Sequence, residues 1–292
     1  MWLIFALLSA VCFGLRGILY HWTSQQGLQR NLMLCGTFFM GALISLVCSL
    51  VLRQDWTASA MVGIQMGLFS FAANASLFQG FKVGKASVVA VLTALPAVLV
   101  VISAYFIWGE RLNLTQLIAF MIIICGVLLV RYSNDISLQN LQGAQWGLIA
   151  LVLFAGNDLT GKWSTLLEAP MFPTLTYMFF TGTLCFGVGS LMDYRKQAAK
   201  QVTVSGQKAA WSAQNTFLLG MGIGITNTVG MIMILTAFDY GKAGLVSAVA
   251  ALNVVIILLY TRFVVQDRFT RLETAGLVTA FAGILVMRLF GS

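Results

Sequence analysis

Apolar stretches of about 20 residues follow one another along almost the whole chain, and this pattern restricts the possible folds more than any other feature. A helix needs about 20 apolar residues to cross the hydrocarbon core of a bilayer, which is roughly 30 Å thick. The stretches are continuously apolar rather than alternating, so they predict spanning helices and not barrel strands. Ten spans are expected, at 2–22, 32–52, 61–81, 86–108, 114–131, 145–163, 173–192, 216–238, 243–265 and 273–290.

The charge content agrees with a membrane-embedded chain. Of the 292 residues only 9% are charged and 59% are hydrophobic, whereas a soluble domain carries about 25% charged residues. The formal net charge is +8, but apart from DYRKQAAK at 193–200 the cations stand singly at span ends. Such residues anchor helices at the headgroups. We therefore expect the lipid bilayer, and no nucleic acid, as a partner.

Few residues of the kinds that perform enzyme chemistry or bind metals are present. The chain has one histidine, His21, and nine acidic residues. All five cysteines fall within predicted spans, without metal-ligand or redox spacing. We therefore expect no catalytic residue, no metal site and no cofactor, which argues against a membrane-embedded transferase. A P-loop pattern is also missing, so ATP hydrolysis by this chain is not expected.

The second half of the chain repeats the first at an offset of 157 residues. Without a gap, 63–131 aligns with 220–288, and 15 of 69 positions are identical. FKVGKASVVAVLTALPAV lies over FDYGKAGLVSAVAALNVV, WGERL over VQDRF, and CGVLLVR over AGILVMR. Apolar composition alone does not place GKA, the acid–arginine pair and the final glycine and arginine in one register. The pattern therefore indicates a duplication.

Each half contains five predicted spans, an odd number, so the second half enters the membrane from the opposite side. The expected fold is an all-α integral membrane protein with ten transmembrane helices, arranged as two inverted five-helix repeats (5+5). The first repeat covers 1–131, a linker covers 132–144, and the second repeat covers 145–292. Inverted repeats are typical of transporters with a substrate site between the halves, although a structural membrane protein can also arise by duplication.

The GKAS turn before a proline-bearing fourth span, the WGERLNLTQ stretch and the following IIICGVLLV resemble EamA-type members of the drug/metabolite transporter superfamily. The resemblance covers nearly the whole chain. It weakens in the second half, where Asn253, Gln266 and Asp267 replace the proline, glycine and glutamate. It implies a ten-helix carrier of small metabolites, often an exporter of amino acids or related compounds, with a central cavity. The family alone does not identify a substrate.

One charged residue lies deep in the first span and another deep in the sixth. FGLRG places Arg16 two residues after a glycine, and AGNDL places Asp158 likewise. An arginine near the middle of a spanning helix costs about 2.5–3.5 kcal/mol, so we expect Arg16 to face a cavity with a carboxylate in reach. At 1.5 Å per residue the two backbones differ in depth by about 10 Å.

Three interpretations of these charges stay open. Arg16 and Asp158 can pair with each other, or Asp158 can pair with Lys162, four residues further along the same helix face. Alternatively, Arg16 binds the carboxylate of a small zwitterion and Asp158 binds its amine. As the only deeply placed acid, Asp158 is also the candidate for proton coupling.

Other polar residues inside the spans are candidates for the substrate path, because polar side chains in hydrocarbon usually face a cavity. Pro96 removes a hydrogen bond in the fourth span, is expected to free the carbonyl group of Leu92, and is the predicted hinge. The remaining candidates for substrate binding are Asn74, Gln79, Asn227, Asn253 and Tyr260. Hydrogen bonds of these amides to neighbouring helices are an equally open interpretation.

Charged residues at the span ends receive structural interpretations. Lys85 and Lys242 begin the fourth and ninth spans and are expected to reach the headgroups, with a phosphorylated substrate as the alternative. Glu110 and Arg111 are expected to form an ion pair in a short loop. Five lysines and arginines lie on the side of the termini and eleven on the other side, which favours external termini. The family resemblance favours cytoplasmic termini instead.

Together these features predict a multi-pass protein of the inner or plasma membrane, a monomer or homodimer, that moves a small-molecule substrate by alternating access. Transport would be passive or driven by an ion gradient. The expected substrate is an amino acid or related zwitterion, and efflux is the favoured direction. The alternatives are a carrier of another solute class, such as organic cations or drugs, sugars or phosphorylated metabolites, and a non-transporting accessory subunit.

Overall fold

The computed structural model describes residues 1–24, 26, 28–83, 92, 93, 95–131, 143–201, 211–260, 263, 264 and 270–290. These residues form α-helices and one 3-10 turn (Ala58–Met61), with no β-strand among them. The helices are α1 (Trp2–Ser24), α2 (Arg30–Val51), α3 (Val62–Val83), α4 (Pro96–Trp108), α5 (Leu114–Arg131), α6 (Ala144–Leu166), α7 (Met171–Gln201), α8 (Ala213–Tyr240), α9 (Ala243–Ala250), α10 (Asn253–Tyr260) and α11 (Arg271–Phe290).

Seven helical segments of the described chain are long and apolar enough to cross a membrane. They are α1, α2, α3 with its preceding turn, α7, α8, α9 together with α10, and α11. Helices α4 and α5 are apolar but shorter, and α6, which carries Asp158 and Lys162, is not among the seven. The chain is thus an all-helical, multi-pass membrane protein. Lys85, residues 86–91 and 94 of the predicted fourth span, and the predicted linker up to residue 142 lie outside the described residues.

The predicted ninth span consists of two helices rather than one. Helix α9 ends at Ala250 and α10 begins at Asn253. Between them the amide of Leu252 donates to the carbonyl oxygen of Val249 at 3.1 Å, so the hydrogen bond spans three residues instead of four. The regular helical ladder is therefore interrupted near the middle of this span.

Helix α4 begins at Pro96, 157 residues before the start of α10. The expectation that Pro96 frees the carbonyl group of Leu92 is wrong, because that oxygen accepts the amide of Leu95 at 3.2 Å. Pro96 occupies the first position of a helix, where a missing N–H group costs nothing. Helices α4 and α10 thus begin at corresponding positions of the repeat, one with proline and one without.

Small residues let the helices touch backbone to backbone. A methyl group added at Gly63 would lie 2.0 Å from the carbonyl oxygen of Thr174, and one at Gly220 would lie 2.1 Å from that of Met33. No side chain fits at such distances, so α3 meets α7, and α8 meets α2, at close range. Glycines spaced by four, at 63 and 67 and at 220 and 224, predict such close packing, and it is confirmed.

Two further helix pairs show contacts of the same kind. A methyl group at Gly126 would lie 2.8 Å from the Cβ atom of Ala280, and one at Gly283 would lie 2.6 Å from the Cγ1 atom of Ile123. In α2 and α7, the rings of Phe38 and Phe179 meet edge to face at a centroid distance of 5.7 Å. Helices α1 and α6, which carry Arg16 and Asp158, both contact α8 and α9.

Candidate functional site

Arg16 is held by groups of its own helix and of α8. Its Nη1 atom donates a hydrogen bond to Oδ1 of Asn227 at 2.5 Å, and Asn227 is only 2% exposed. The guanidinium carbon lies 4.7 Å from the ring centroid of Phe13 and 5.7 Å from that of Tyr20. The amide dipole and the two ring faces offset part of the cost of burying the cation. The Nε atom of Arg16 is buried and has no hydrogen-bond partner among the described residues.

Asp158 is bound from α9. One carboxylate oxygen accepts a hydrogen bond from Oγ of Ser247 at 2.6 Å, and Ser247 is 4% exposed. Among the described residues, Asp158 forms no ion pair with Arg16 or with Lys162. Both structural interpretations of Asp158 are therefore wrong. The cation and the anion each have a neutral partner instead.

The broken segment of α9 and α10 connects the surroundings of the two charges. Ser247 on α9 contacts Asp158, while Ile256 on α10 lies where a methyl group on Gly14 would stand, two residues before Arg16. Ser247 and Ile256 are nine residues apart, or about 14 Å at helical rise. Asp158 therefore lies beside α9, whereas the part of α1 that carries Arg16 packs against α10.

Asn253 lies between these two points. It is the first residue of α10, and its Oδ1 atom is buried without a hydrogen-bond partner among the described residues. Leaving a buried amide oxygen without a hydrogen-bond partner costs about 1–3 kcal/mol. This oxygen therefore calls for a ligand or another functional explanation. Arg16 and Asn227 thus meet between α1 and α8, and Asn253 begins α10, which packs against α1.

The other predicted residues have less direct relations to this region. Asn74 donates from Nδ2 to the carbonyl oxygen of Ser70, one turn earlier in α3, at 2.7 Å, so its amide is engaged locally. Gln79 lies near the end of α3 and Tyr260 ends α10, and both are half-buried. No contact joins these three side chains to Arg16 or Asp158 among the interactions of the described residues.

A cluster of polar side chains that the sequence did not predict lies at the end of the molecule where the chain begins. Lys162 on α6, only 7% exposed, donates from Nζ to the carbonyl oxygens of Phe238 at 2.6 Å and Gly241 at 2.9 Å. Its Nζ atom is also 3.7 Å from Oε1 of Glu110. A methyl group on Gly241 would lie 3.0 Å from the ring of Trp2, which places the cluster beside the N-terminus.

The same cluster continues to the start of α9. The Oε2 atom of Glu110 accepts the backbone amide of Ala243 at 2.9 Å. Lys242 donates from Nζ to Oε1 of Gln116 at 2.8 Å and to the carbonyl oxygen of Arg111. The expected Glu110–Arg111 ion pair is therefore wrong, because Glu110 pairs with Lys162, and Lys242 binds protein groups at the end of its span. The recurrence of GKA and of the acid–arginine pair in both halves was the available signal, but it did not reveal that the two motifs meet.

Comparisons with known proteins place the chain in a family. The sequence profile of the EamA-like transporter family matches residues 1–132 and 141–289, nearly the whole chain. The chain belongs to the EamA-like transporter family. A protein of known crystal structure, 15% identical, has a similar fold with a TM-score of 0.74, and the alignment covers 98% of each chain. No curated protein matches the chain.

Membership of the EamA-like family gives the buried polar groups a context. The chain is a membrane transporter of small solutes by family, and polar groups inside such proteins usually line the solute path. Among the described residues, no three histidine, cysteine, aspartate or glutamate side chains come together as a metal site. In this EamA-like chain, Arg16 and Asp158 are the charged groups held inside the helix bundle, each by a neutral partner, and Asn253 has a buried oxygen without a partner among the described residues.

Proposed function

We propose that this EamA-like protein transports a small zwitterion, an amino acid or a related compound, across the inner or plasma membrane, with efflux favoured. The observation that carries the proposal is the separate accommodation of two opposite charges in the interior. Arg16 is bound by the amide of Asn227 and Asp158 by the hydroxyl group of Ser247. A carboxylate at Arg16 and an ammonium group at Asp158 would supply the opposite charges, which adds charge-assisted hydrogen bonds to both.

The polar atoms without partners support a substrate between the two charges. Arg16 Nε is a donor and Asn253 Oδ1 is an acceptor, and both are buried. A carboxylate can accept from a guanidinium group through two parallel hydrogen bonds. The free acceptor on Asn253 suits an ammonium or amide hydrogen of the same ligand. A solute of this kind would satisfy groups that the protein leaves unsatisfied.

The proposed mechanism is alternating access between two inverted five-helix repeats, 1–131 and 145–292. The 157-residue offset relates the starts of α4 and α10, and also the two close contacts between α5 and α11, from Gly126 to Ala280 and from Gly283 to Ile123. The start of α4 at Pro96 and the break before Asn253 would serve as hinges, since a break in the hydrogen-bond ladder lowers the cost of bending.

Transport by this chain is proposed to be passive or coupled to an ion gradient. Asp158 is the proposed proton-coupling residue, because it lies within the interior and accepts a hydrogen bond from a neutral serine. A carboxylate that alternates between a proton and a substrate amine would exchange one for the other across the membrane. The protein is proposed to act as a monomer or homodimer.

Thermal stabilisation of the purified protein tests the substrate class. The panel contains amino acids, amines and organic cations, sugars and phosphorylated metabolites. A ligand at 100 times its Kd stabilises the folded state by about 2.7 kcal/mol, so a zwitterion that binds is expected to raise the melting temperature of the wild type. Arg16→Ala should abolish this rise, and Arg288→Ala, which removes an exposed arginine near the end of α11, should retain it.

Three other results of this assay would contradict the proposal. Stabilisation by a zwitterion that survives in Arg16→Ala returns Arg16 to a structural role. A hit among sugars, organic cations or phosphorylated compounds alone would assign another solute class. No stabilisation by any compound favours the accessory subunit, and transport into liposomes then decides whether the chain moves solutes at all.

A further inference from the structure

The side-chain cluster around Lys162 and Glu110 joins four separate parts of the chain at one end of the molecule. Lys162 comes from α6, its two carbonyl partners come from the end of α8, and Glu110 follows α4. Glu110 in turn binds the amide of Ala243 at the start of α9, and Lys242 binds the segment after α4. The polar atoms of the cluster are thus used to join helices to one another rather than to contact the membrane surface.

The cluster lies on the same face of the membrane as the N-terminus. Gly241 is packed against Trp2, and the amide of Phe172, just after the α6–α7 loop, donates to Gln54 in the α2–α3 loop at 3.0 Å. The ends of α2, α6 and α8 therefore share this face with the start of α1. We call it the terminal face.

The cluster binds helix α9, which lies between the terminal face and the break in the ninth span. Asp158 lies one turn before Lys162 on α6, and it binds Ser247, one turn after Ala243 on α9. Two successive turns of α9 are therefore fastened to α6 and to the loop after α4. Helix α10, beyond the break, packs against α1 at Gly14 and Gly17, and it has no part in the cluster.

We infer that Lys162 and Glu110, with Lys242, form a terminal-face lock that closes the substrate path on this side and must open for solute to pass. The inference rests on the proposed alternating access. While the lock is formed, α9 cannot move away from α6. When it opens, the break between α9 and α10 lets α9 move while α10 stays against α1.

The chemistry of the lock suits a reversible closure. When this largely buried ion pair at 3.7 Å separates, the hydration that both ions regain offsets part of the lost Coulomb attraction. The carbonyl oxygens of Phe238 and Gly241 belong to the last turn and the cap of α8, where they have no partner within the helix. Water can satisfy these oxygens once Lys162 leaves. The closed and the open arrangement therefore differ by a limited free energy.

Access to a cysteine from the terminal face tests the lock. Ala250, 7% exposed, follows Ser247 by three residues and lies on the same face of α9. The probe is Ala250→Cys in a background without the native cysteines, in membrane vesicles of either orientation. A membrane-impermeant methanethiosulfonate reagent is added outside. Thr57→Cys, in the exposed α2–α3 loop, shows which vesicles present the terminal face.

The lock is broken in two ways. Lys162→Met removes the ion pair and both hydrogen bonds to carbonyl groups. Glu110→Gln removes the charge but keeps an oxygen for the amide of Ala243, so it perturbs the fold least. Both are expected to raise the labelling rate of Ala250→Cys at least fivefold from the terminal face. The control Arg288→Met removes an exposed cation from the same face and should leave the rate unchanged.

Two results would overturn the lock. One is an unchanged labelling rate in Glu110→Gln or in a monodisperse Lys162→Met protein. The other is an equal rise from the opposite face, which indicates general loosening of the packing rather than opening of one side. The labelling needs no substrate. The lock can therefore fail while zwitterion binding is found, or hold while the zwitterion proposal fails, and the two failures are distinguishable.

Discussion

Replacement of Asn227 by leucine isolates the hydrogen bond that makes Arg16 tolerable inside the bundle. Leucine has a similar volume, so packing is largely kept and the amide oxygen is lost. A hydrogen bond to a charged group contributes about 1.5–3 kcal/mol, and the Nε atom of Arg16 already lacks a partner. We therefore expect Asn227→Leu to destabilise the protein by about 1.5–3 kcal/mol.

The matched control is the same substitution at Asn74. Its amide donates to a backbone oxygen of its own helix at 2.7 Å, a neutral bond with a net value of about 0.5–1.5 kcal/mol. Leucine also has a higher helix propensity than asparagine, which offsets part of this loss. Asn74→Leu should therefore cost less than about 1 kcal/mol.

The measurement is the temperature at which purified protein, heated in detergent, loses its monodisperse elution peak. At about 2–4 °C per kcal/mol, Asn227→Leu should lower this temperature by about 3–12 °C, and Asn74→Leu by about 4 °C at most. Equal shifts in the two variants would refute the assignment of Asn227 as the main partner of Arg16. A third variant, Asn227→Asp, should keep the stability, because it pairs with Arg16, but lose stabilisation by a zwitterion, because it occupies the guanidinium group.

Two further predictions concern packing and coupling. Gly220→Ala should destabilise the protein by at least about 2 kcal/mol, because the added methyl group would lie 2.1 Å from the carbonyl oxygen of Met33. Gly222→Ala, where the methyl group would have nothing within 4 Å, should stabilise the protein by up to about 1 kcal/mol. Thermal unfolding of both variants measures the difference, and equal effects would contradict the close approach at Gly220. Asp158→Asn keeps an oxygen for Ser247 but cannot exchange a proton, so transport by this variant in liposomes should lose its dependence on pH, and a wild-type pH profile would exclude Asp158 as the coupling residue.

The helical architecture followed from the sequence because, inside a bilayer, a single segment can satisfy its backbone hydrogen bonds only by forming a helix. The sequence did not predict the break in the ninth span, although the repeat relates its position to that of Pro96. Asn253 stands 157 residues after Pro96, and α10 begins there although asparagine does not itself break a helix. The close glycine contacts at Gly63 and Gly220, in contrast, were predicted from the sequence, because four-residue spacing places small residues on one helix face.

The partners of the buried charges did not follow from the sequence. Counting residues gives the depth of Arg16 and of Asp158 along their helices, but it does not give the rotation of one helix relative to another. Opposite charge and an expected depth difference of only about 10 Å therefore suggested a pair that the structure does not contain. The observed partner of Arg16 is Asn227, 211 residues away, and a neutral amide carries no charge pattern that would single it out.

Taken alone, the amino-acid sequence determined that the chain is helical and lies in a membrane, that it resembles itself at an offset of 157 residues, and that it resembles a transporter family, because these properties depend on hydropathy and on repetition along the chain. Only the tertiary structure decided what each buried charge contacts. Lys162 shows the reason most clearly. Its partners are the carbonyl oxygens of Phe238 and Gly241, and because almost every residue carries such an oxygen, only the packing of α6 against the end of α8 selects these two.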